Sequence, residues 1–417
     1  MPTDHQSTAA ATKHDAQHHR VRTLLILSTL MAFASISTDL YLPALPAMAD
    51  ALHSNPGTLQ LTISGYLIGF SLGQLLWGPV SDRHGRRLPV AIGLVLFIFG
   101  SAGCAISGDA HTLIGWRVLQ AVGACASVVI SRAMVRDLYS GVRAAQMMST
   151  LMTVMAVAPL IGPSVGGLIL HVASWRAIFW VLVAVGIATL AGLYCLPETL
   201  PGERRTRGPL GNSLAGYASL LRNRSVLGYS VSVGFFYGGI FAYVAGTPFA
   251  YITYHHVSPQ HYGVLFAAGI VGIMITNQIN ARLVARFGSD RLMRFGTIVA
   301  GLAGALLAFD AGSGWGGLIG LVLPLFLFVS TNGFINANAI AGALGACPER
   351  AGAVSALIGS IQYGAGIAGS ALIGFLADGT PRPMAYVIAL MGIACWLSTR
   401  LLVPRENVKQ TCANTVA

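Results

Sequence analysis

The sequence predicts an all-α membrane protein, with about twelve transmembrane helices in two six-helix bundles related by a pseudo-twofold axis. Three observations predict it. Of the 417 residues, 54% are hydrophobic and only 9% charged, whereas a water-soluble domain carries about 25% charged residues. The uncharged stretches repeatedly reach the roughly 20 residues that a helix needs to cross a bilayer. The cations gather in alternate gaps between those stretches, as membrane topology requires. Soluble enzymes, disordered chains and nucleic-acid binders are excluded by the same composition. The net charge of +11 does not alter this, because the basic residues form short groups between apolar runs and make no single solvated face.

Each span can be placed in turn. Residues 23–49 form the first and carry one internal charge, Asp39. Uncharged runs at 51–81 and 88–108 follow, then 110–131, which holds Arg117, then 144–175 and 177–197. The run 225–281 has room for two spans, divided by the polar break His255-His256-Val257-Ser258-Pro259-Gln260-His261. The runs 311–348 and 351–377 are ample, whereas 295–309 and 383–399 are short and need Arg294 and Arg400 to snorkel at their ends. Continuous runs of this length are helices, because barrel strands are shorter and alternate in polarity.

With a cytoplasmic N-terminus, 22 of the 25 Lys and Arg face the cytoplasm, Arg132 among them. The other side receives Arg176 and Arg382, and Arg117 lies within a span. The positive-inside rule then places both termini in the cytoplasm, with an even number of spans. The polar stretch from Pro197 to Arg224 divides the chain into a tail (1–22), a bundle (23–199), a linker (200–225), a second bundle (226–403) and a tail (404–417). An internal echo supports the division: Arg143, Gly162 and Gly167 recur at a constant offset as Arg350, Gly369 and Gly374.

Asp39 is the most informative residue. A carboxylate inside a span costs about 2.5–3.5 kcal/mol on insertion scales, so it faces a cavity or a partner, or holds a proton. Counting back from Pro46 places it about 10 Å below the outer end, and Arg117 lies at similar depth in the fourth span, so the two are expected to interact. Ser35 shares a face with Asp39, and Gln120 shares one with Arg117, each a narrow polar stripe of the kind that lines water. Asn332 and Asn336 share a face of the tenth span, Gln362 sits in the eleventh, and Tyr237 and Tyr243 belong to an aromatic group in the seventh. Aromatics beside a few hydrogen-bonding groups suit an amphipathic ligand. Metal-ligand clusters, phosphate loops and nucleophile–base constellations are not evident, so neither a metal nor an enzyme activity is expected.

Gly78-Pro79-Val80-Ser81-Asp82-Arg83-His84-Gly85-Arg86-Arg87, after the second span, resembles the signature of the major facilitator superfamily, G-x3-D-R-x-G-R-R. Arg117-x2-Gln120-x2-Gly123 is similar to that superfamily's R-x2-Q-G-x-G element, with Ala121 in place of the first Gly. Gly162-Pro163-Ser164-Val165-Gly166-Gly167 resembles the G-P-x2-G-G element of drug/proton antiporters. Residues Ser37 to Pro46 and Met134 to Tyr139 resemble the Bcr/CflA subgroup, exporters that confer bicyclomycin and chloramphenicol resistance. The resemblance covers residues 20–403 and implies the major facilitator fold in a bacterial inner membrane. It also implies a cytoplasmic gate of Gly78, Asp82, Arg83, Gly85, Arg86, Arg87 and Asp137, in which Asp82 sits against the start of the eleventh helix near Ala351 and Arg86 or Arg87 pairs with Asp137. Related exporters carry a second acid earlier in the first helix; here Met31-Ala32 stands there, so one carboxylate must serve.

The function expected is proton-coupled efflux of small amphipathic drugs by alternating access, with Asp39 and Arg117 exchanging proton and substrate. No cofactor beyond the coupling proton is expected; the partners are the drugs, protons and the lipid bilayer, and the protein is expected to act as a monomer. The rival reading is a proton-coupled importer of a sugar or small metabolite, which the same fold allows.

Overall fold

The computed structural model describes residues 4–205 and 219–403. The tail beyond 403 and half of the linker, residues 206–218, lie outside the described residues. Among those described there is no strand, and twelve helices are long and apolar enough to cross a membrane. In chain order they are α1 (Arg22–Ala51), α2 (Pro56–His84), α3 (Arg87–Ile106), α4 (Ala110–Leu138), α5 (Gln146–Val172), α6 (Trp175–Leu193), α7 (Arg224–Tyr254), α8 (Pro259–Phe287), α9 (Ser289–Ser313), α10 (Gly317–Ala346), α11 (Pro348–Leu376) and α12 (Arg382–Leu402). The two short apolar runs are thus completed by Arg294, in the second turn of α9, and by Arg400, in the last turn of α12. The boundary expected at residue 22 falls within one continuous helix, Asp4–Asp39.

Helix starts follow from local chemistry. Asn55, Asp109, Asn223 and Ser258 each accept a backbone N–H of the first turn, and Pro56 and Pro259 occupy first helical positions where their missing N–H costs nothing. Within the first half, α2 and α3 pack on α4, α3 packs on α6, and α1 packs on α4 and α5. The second half repeats every pairing: α8 and α9 on α10, α9 on α12, and α7 on α10 and α11. Each bundle therefore buries the same faces, and the pseudo-twofold axis carries α2 onto α8 and α5 onto α11.

The bundles meet along two seams, α2 with α11 and α5 with α8. Glycine makes both possible. A Cβ on Gly57 would lie 2.2 Å from the Gly374 carbonyl oxygen, and one on Gly167 would lie 2.7 Å from the Pro259 carbonyl oxygen. These are the symmetry-related ends of α11 and α5, so the glycine echo in the sequence is a pair of closure contacts at the cation-poor end. Ser64 and Ser370 add a hydroxyl pair at 2.8 Å. The α2–α11 seam continues as far as Gln74, whose Oε1 would be 3.1 Å from a Cβ on Gly359. Beyond it, Gly78 and Gly352 have no neighbour within 4 Å of such a Cβ. The molecule is closed at the cation-poor end and parts toward the cation-rich end.

Candidate functional site

The site begins where α1 breaks. Ser37 and Thr38 bond back to the carbonyls of Phe33 and Ala34, a habit that bends helices. Pro43 then forbids helical continuation through Leu42. The long helix ends at Asp39 and resumes as a 3-10 turn at Leu42–Ala44 and a short helix at Leu45–Ala51. Gly162 and Gly166 of α5 hold this break at close range. A Cβ on Gly162 would lie 3.1 Å from the Asp39 Cβ, and one on Gly166 would lie 1.8 Å from the Leu40 carbonyl oxygen. Only glycine admits α1 here, and Pro159 and Pro163 each remove a backbone N–H from α5 without ending it. The G-P-x2-G-G element is therefore the seat of the Asp39 break, and its last glycine is half of the closure contact.

Asp39 is 7% exposed. Among the described residues its carboxylate makes no ion pair and no hydrogen bond. The groups within its electrostatic reach are hydroxyls of the opposite bundle: Tyr243 on α7, Tyr262 on α8 and Tyr363 on α11.

The expected Asp39–Arg117 interaction is not formed. Arg117 is fully buried, and Nη1 donates to the Ser37 carbonyl at 3.0 Å and to Gln120 Oε1 at 2.5 Å. Its guanidinium lies 4.2 Å from the Tyr41 ring centre and 4.4 Å from that of Tyr66. The reason is rotational: Ser37 and Asp39 are two positions apart, so they leave the helix on nearly opposite faces. Gln120 is likewise fully buried and donates to Ser101 Oγ of α3 at 2.7 Å. The α4 stripe thus glues α1, α3 and α4 together, while Arg117 Nε and Nη2 and Ser127 Oγ find no hydrogen-bond partner among the described residues.

The other expected lining residues divide. Tyr237 is partly exposed and lies 6.3 Å from Phe241, which lies 5.9 Å from Tyr363, which lies 4.7 Å from Phe70 across the seam. This run of rings crosses the cleft between the bundles, with Tyr237, Phe241 and Tyr363 partly exposed and Phe70 buried. Ser35 is partly exposed on the α1 face above it. Gln362 donates to Asn336 at 2.8 Å, joining α11 to α10, while Asn332 keeps a buried Oδ1 without a partner. Tyr243 is almost wholly buried and stacks on Phe266 at 5.4 Å. Sequence reasoning missed Asn338, which bonds Asn280 of α8 at 2.7 Å. It also missed Arg132, counted as a topological cation. The structure places Arg132 inside α4, partly exposed, with Nη2 at 4.0 Å from Met155 Sδ of α5.

At the cation-rich end, Arg86 pairs with Asp82 at 2.5 Å and with Asp137 at 2.8 Å. Gly85 has φ +89, and a Cβ there would meet Glu198, so glycine is required twice over. Gly78 is open, Arg83 is exposed, and Arg87 is partly exposed, its Nη2 donating to the Tyr194 carbonyl at 3.1 Å. The expected contact of Asp82 with α11 is absent: its partner is Arg86, and its side chain is 50% exposed. This follows from the parting of α2 and α11 beyond Gln74. Glu198, at the start of the polar stretch after the sixth span, fastens the cluster. It accepts from the backbone N–H of Arg86 at 2.7 Å, of Arg87 at 3.1 Å and of Leu200 at 3.0 Å, at the N-terminus of α3.

Burial works against the Glu198 charge, but those three N–H donors and Arg205 outweigh it and hold the carboxyl below the usual Glu range. A depressed carboxyl contributes stability that is complete above its unfolded value, 4.5, and is lost as pH falls through the folded value. Glu198→Gln is expected to lower thermal stability at neutral pH by about 1 kcal/mol and to flatten the acid-side loss. Unfolding curves from neutral to acid pH check this, and a variant with the wild-type curve would contradict it.

A family model described as Major Facilitator Superfamily matches residues 25–370. The chain belongs to the Major Facilitator Superfamily. Within that superfamily it is similar to the uncharacterized MFS-type transporter YdgK of Bacillus subtilis (strain 168), 37% identical over 383 residues, covering 89% of this chain and 94% of that one. It is 30% identical to a bicyclomycin resistance protein homolog of Haemophilus influenzae, covering 93% and 96% of the two chains. It is also 30% identical to a chloramphenicol resistance protein of Pseudomonas aeruginosa, with 90% of each covered. These relatives agree with the Bcr/CflA resemblance. Among solved structures, a D-xylose-proton symporter superposes with a TM-score of 0.77 over 94% of this chain and 100% of that one, at 16% identity. The facilitator fold thus spans both bundles.

Proposed function

We propose that this protein exports small amphipathic drugs from the cytoplasm in exchange for protons, by alternating access, as a monomer in a bacterial inner membrane with both termini cytoplasmic. One observation carries the reading. Asp39 is an almost fully buried carboxylate with no cationic partner among the described residues, at a helix break that faces the seam between the bundles. An uncompensated acid at membrane depth is completed by a proton or by a substrate's positive or hydrogen-bonding group, and by one at a time. Binding of drug from the open, cytoplasmic side and protonation from the outer side are then mutually exclusive. The inward proton supplies about 2.3 kcal/mol per 100 mV, plus its concentration gradient. Exchange rests on this competition and needs no Asp39–Arg117 pair; Arg117 serves to hold α1 on α4. Relatives named for resistance to bicyclomycin and chloramphenicol support the substrate class.

The test is exchange in proteoliposomes. An imposed pH gradient should drive chloramphenicol against its own gradient, with alkalinisation of the acidic compartment when drug is added. Gradient-driven uptake of a sugar, with no drug–proton exchange, would overturn the reading in favour of an importer.

A further inference from the structure

Arg132 is the one cation of the cleft that neither the fold nor the proposed exchange uses. Its Nε is buried without a hydrogen-bond partner, and its Nη2 has for company the thioether of Met155. No acid of the described residues pairs with it, and Arg136, one turn further on α4, repels it. It lies within electrostatic reach of Tyr363, the ring at the centre of the aromatic run. Leaving a guanidinium with donors unused in such surroundings costs more than leaving it in water, unless an anion arrives to meet it.

Its position relative to Asp39 is fixed by α5. Gly162 touches Asp39 and Met155 touches Arg132. The two α5 residues are seven apart, which places them on one face and about 10 Å apart along the helix. The cleft therefore has a negative end at the α1 break, a positive end toward its mouth, and between them the rings of Phe70, Tyr363 and Phe241. We propose that Arg132 is a specificity-determining residue that selects zwitterionic amphipaths, their ammonium end at Asp39, their carboxylate or other anionic end at Arg132 and an aromatic body between. The proposal rests on the cleft being the substrate site and names the substrate chemistry within it. A guanidinium receives a carboxylate through two parallel hydrogen bonds, which an ester cannot match.

The test separates binding from transport. The purified full chain is titrated with para-aminomethyl-biphenyl-para-carboxylate, a rigid zwitterion, and with its methyl ester, a monocation of the same shape, and binding is followed by calorimetry. The wild type should bind the zwitterion at least tenfold more tightly than the ester. Arg132→Gln should erase that preference while leaving ester affinity unchanged, and Arg132→Lys should keep part of it. A wild type that binds both equally or neither, or an Arg132→Gln variant that keeps the preference, overturns the proposal. A Gln variant that loses both ligands to the same extent also overturns it, because Arg132 is then structural. Proton-driven export is measured separately in proteoliposomes. Its failure with the binding preference intact would count against the export mechanism and leave the role of Arg132 standing.

Discussion

Asp39→Asn abolishes acceleration of drug movement by a pH gradient, while binding of a neutral drug stays within a few-fold of wild type. The substitution keeps the size of the side chain and removes its ability to carry a charge that a proton can cancel. The neighbourhood tolerates it sterically. The amide fills the same space beside Gly162, and three tyrosine hydroxyls of the opposite bundle lie in the region it faces. No ion pair of the described residues is broken, because Asp39 makes none with them, so the fold should survive and purified variant should unfold at a temperature close to wild type. The measurement is efflux from proteoliposomes with and without the gradient. Background rates with the gradient are the expected result. Unimpaired gradient-driven efflux would show that the coupling proton is carried elsewhere.

Ser64→Cys with Ser370→Cys should lock the transporter when oxidised. The two hydroxyls are 2.8 Å apart and buried on the α2–α11 seam, so the cysteines are placed for a disulfide after a small adjustment. Opening of the cation-poor end requires α2 and α11 to separate at this level. The cross-linked double variant is expected to transport at background rate, with recovery on adding a thiol reductant, while each single variant transports normally. Cross-linked protein that still transports would show that α2 and α11 do not part during the cycle.

Much of this was legible from the chain alone, for reasons that particular residues make plain. The spans are long uncharged runs, and a bilayer leaves such runs no alternative to helix. The α1 break is announced by Ser37-Thr38-Asp39 ahead of Pro43, and the glycine echo marks the two closure contacts. What was illegible is the rotation of one helix against another. Asp39 and Arg117 do lie on packed neighbours, yet Arg117 turns to the Ser37 carbonyl on the far side of α1. Polar stripes are ambiguous for the same reason: the hydrogen bonds that the one on α4 makes go to Ser101 and Ser37, inside its own bundle. Arg132 was concealed by its charge, which reads as the end of a span, although α4 continues to Leu138. The apolar residues that follow it, Ala133-Met134-Val135, were the available signal. Glu198 could not be assigned, because its partners, Arg86 and Arg87, are distant in sequence and offer their backbone N–H groups, not their charges.

The fastening at Glu198 bears on how the two bundles can move. By gripping the first turn of α3, it makes the root of the connecting segment a rigid part of the first bundle, at least through Leu200. The segment that follows α6, through Leu200, therefore travels with α3 as one block whenever the bundles part, and the ion pairs around Arg86 are carried with it unbroken.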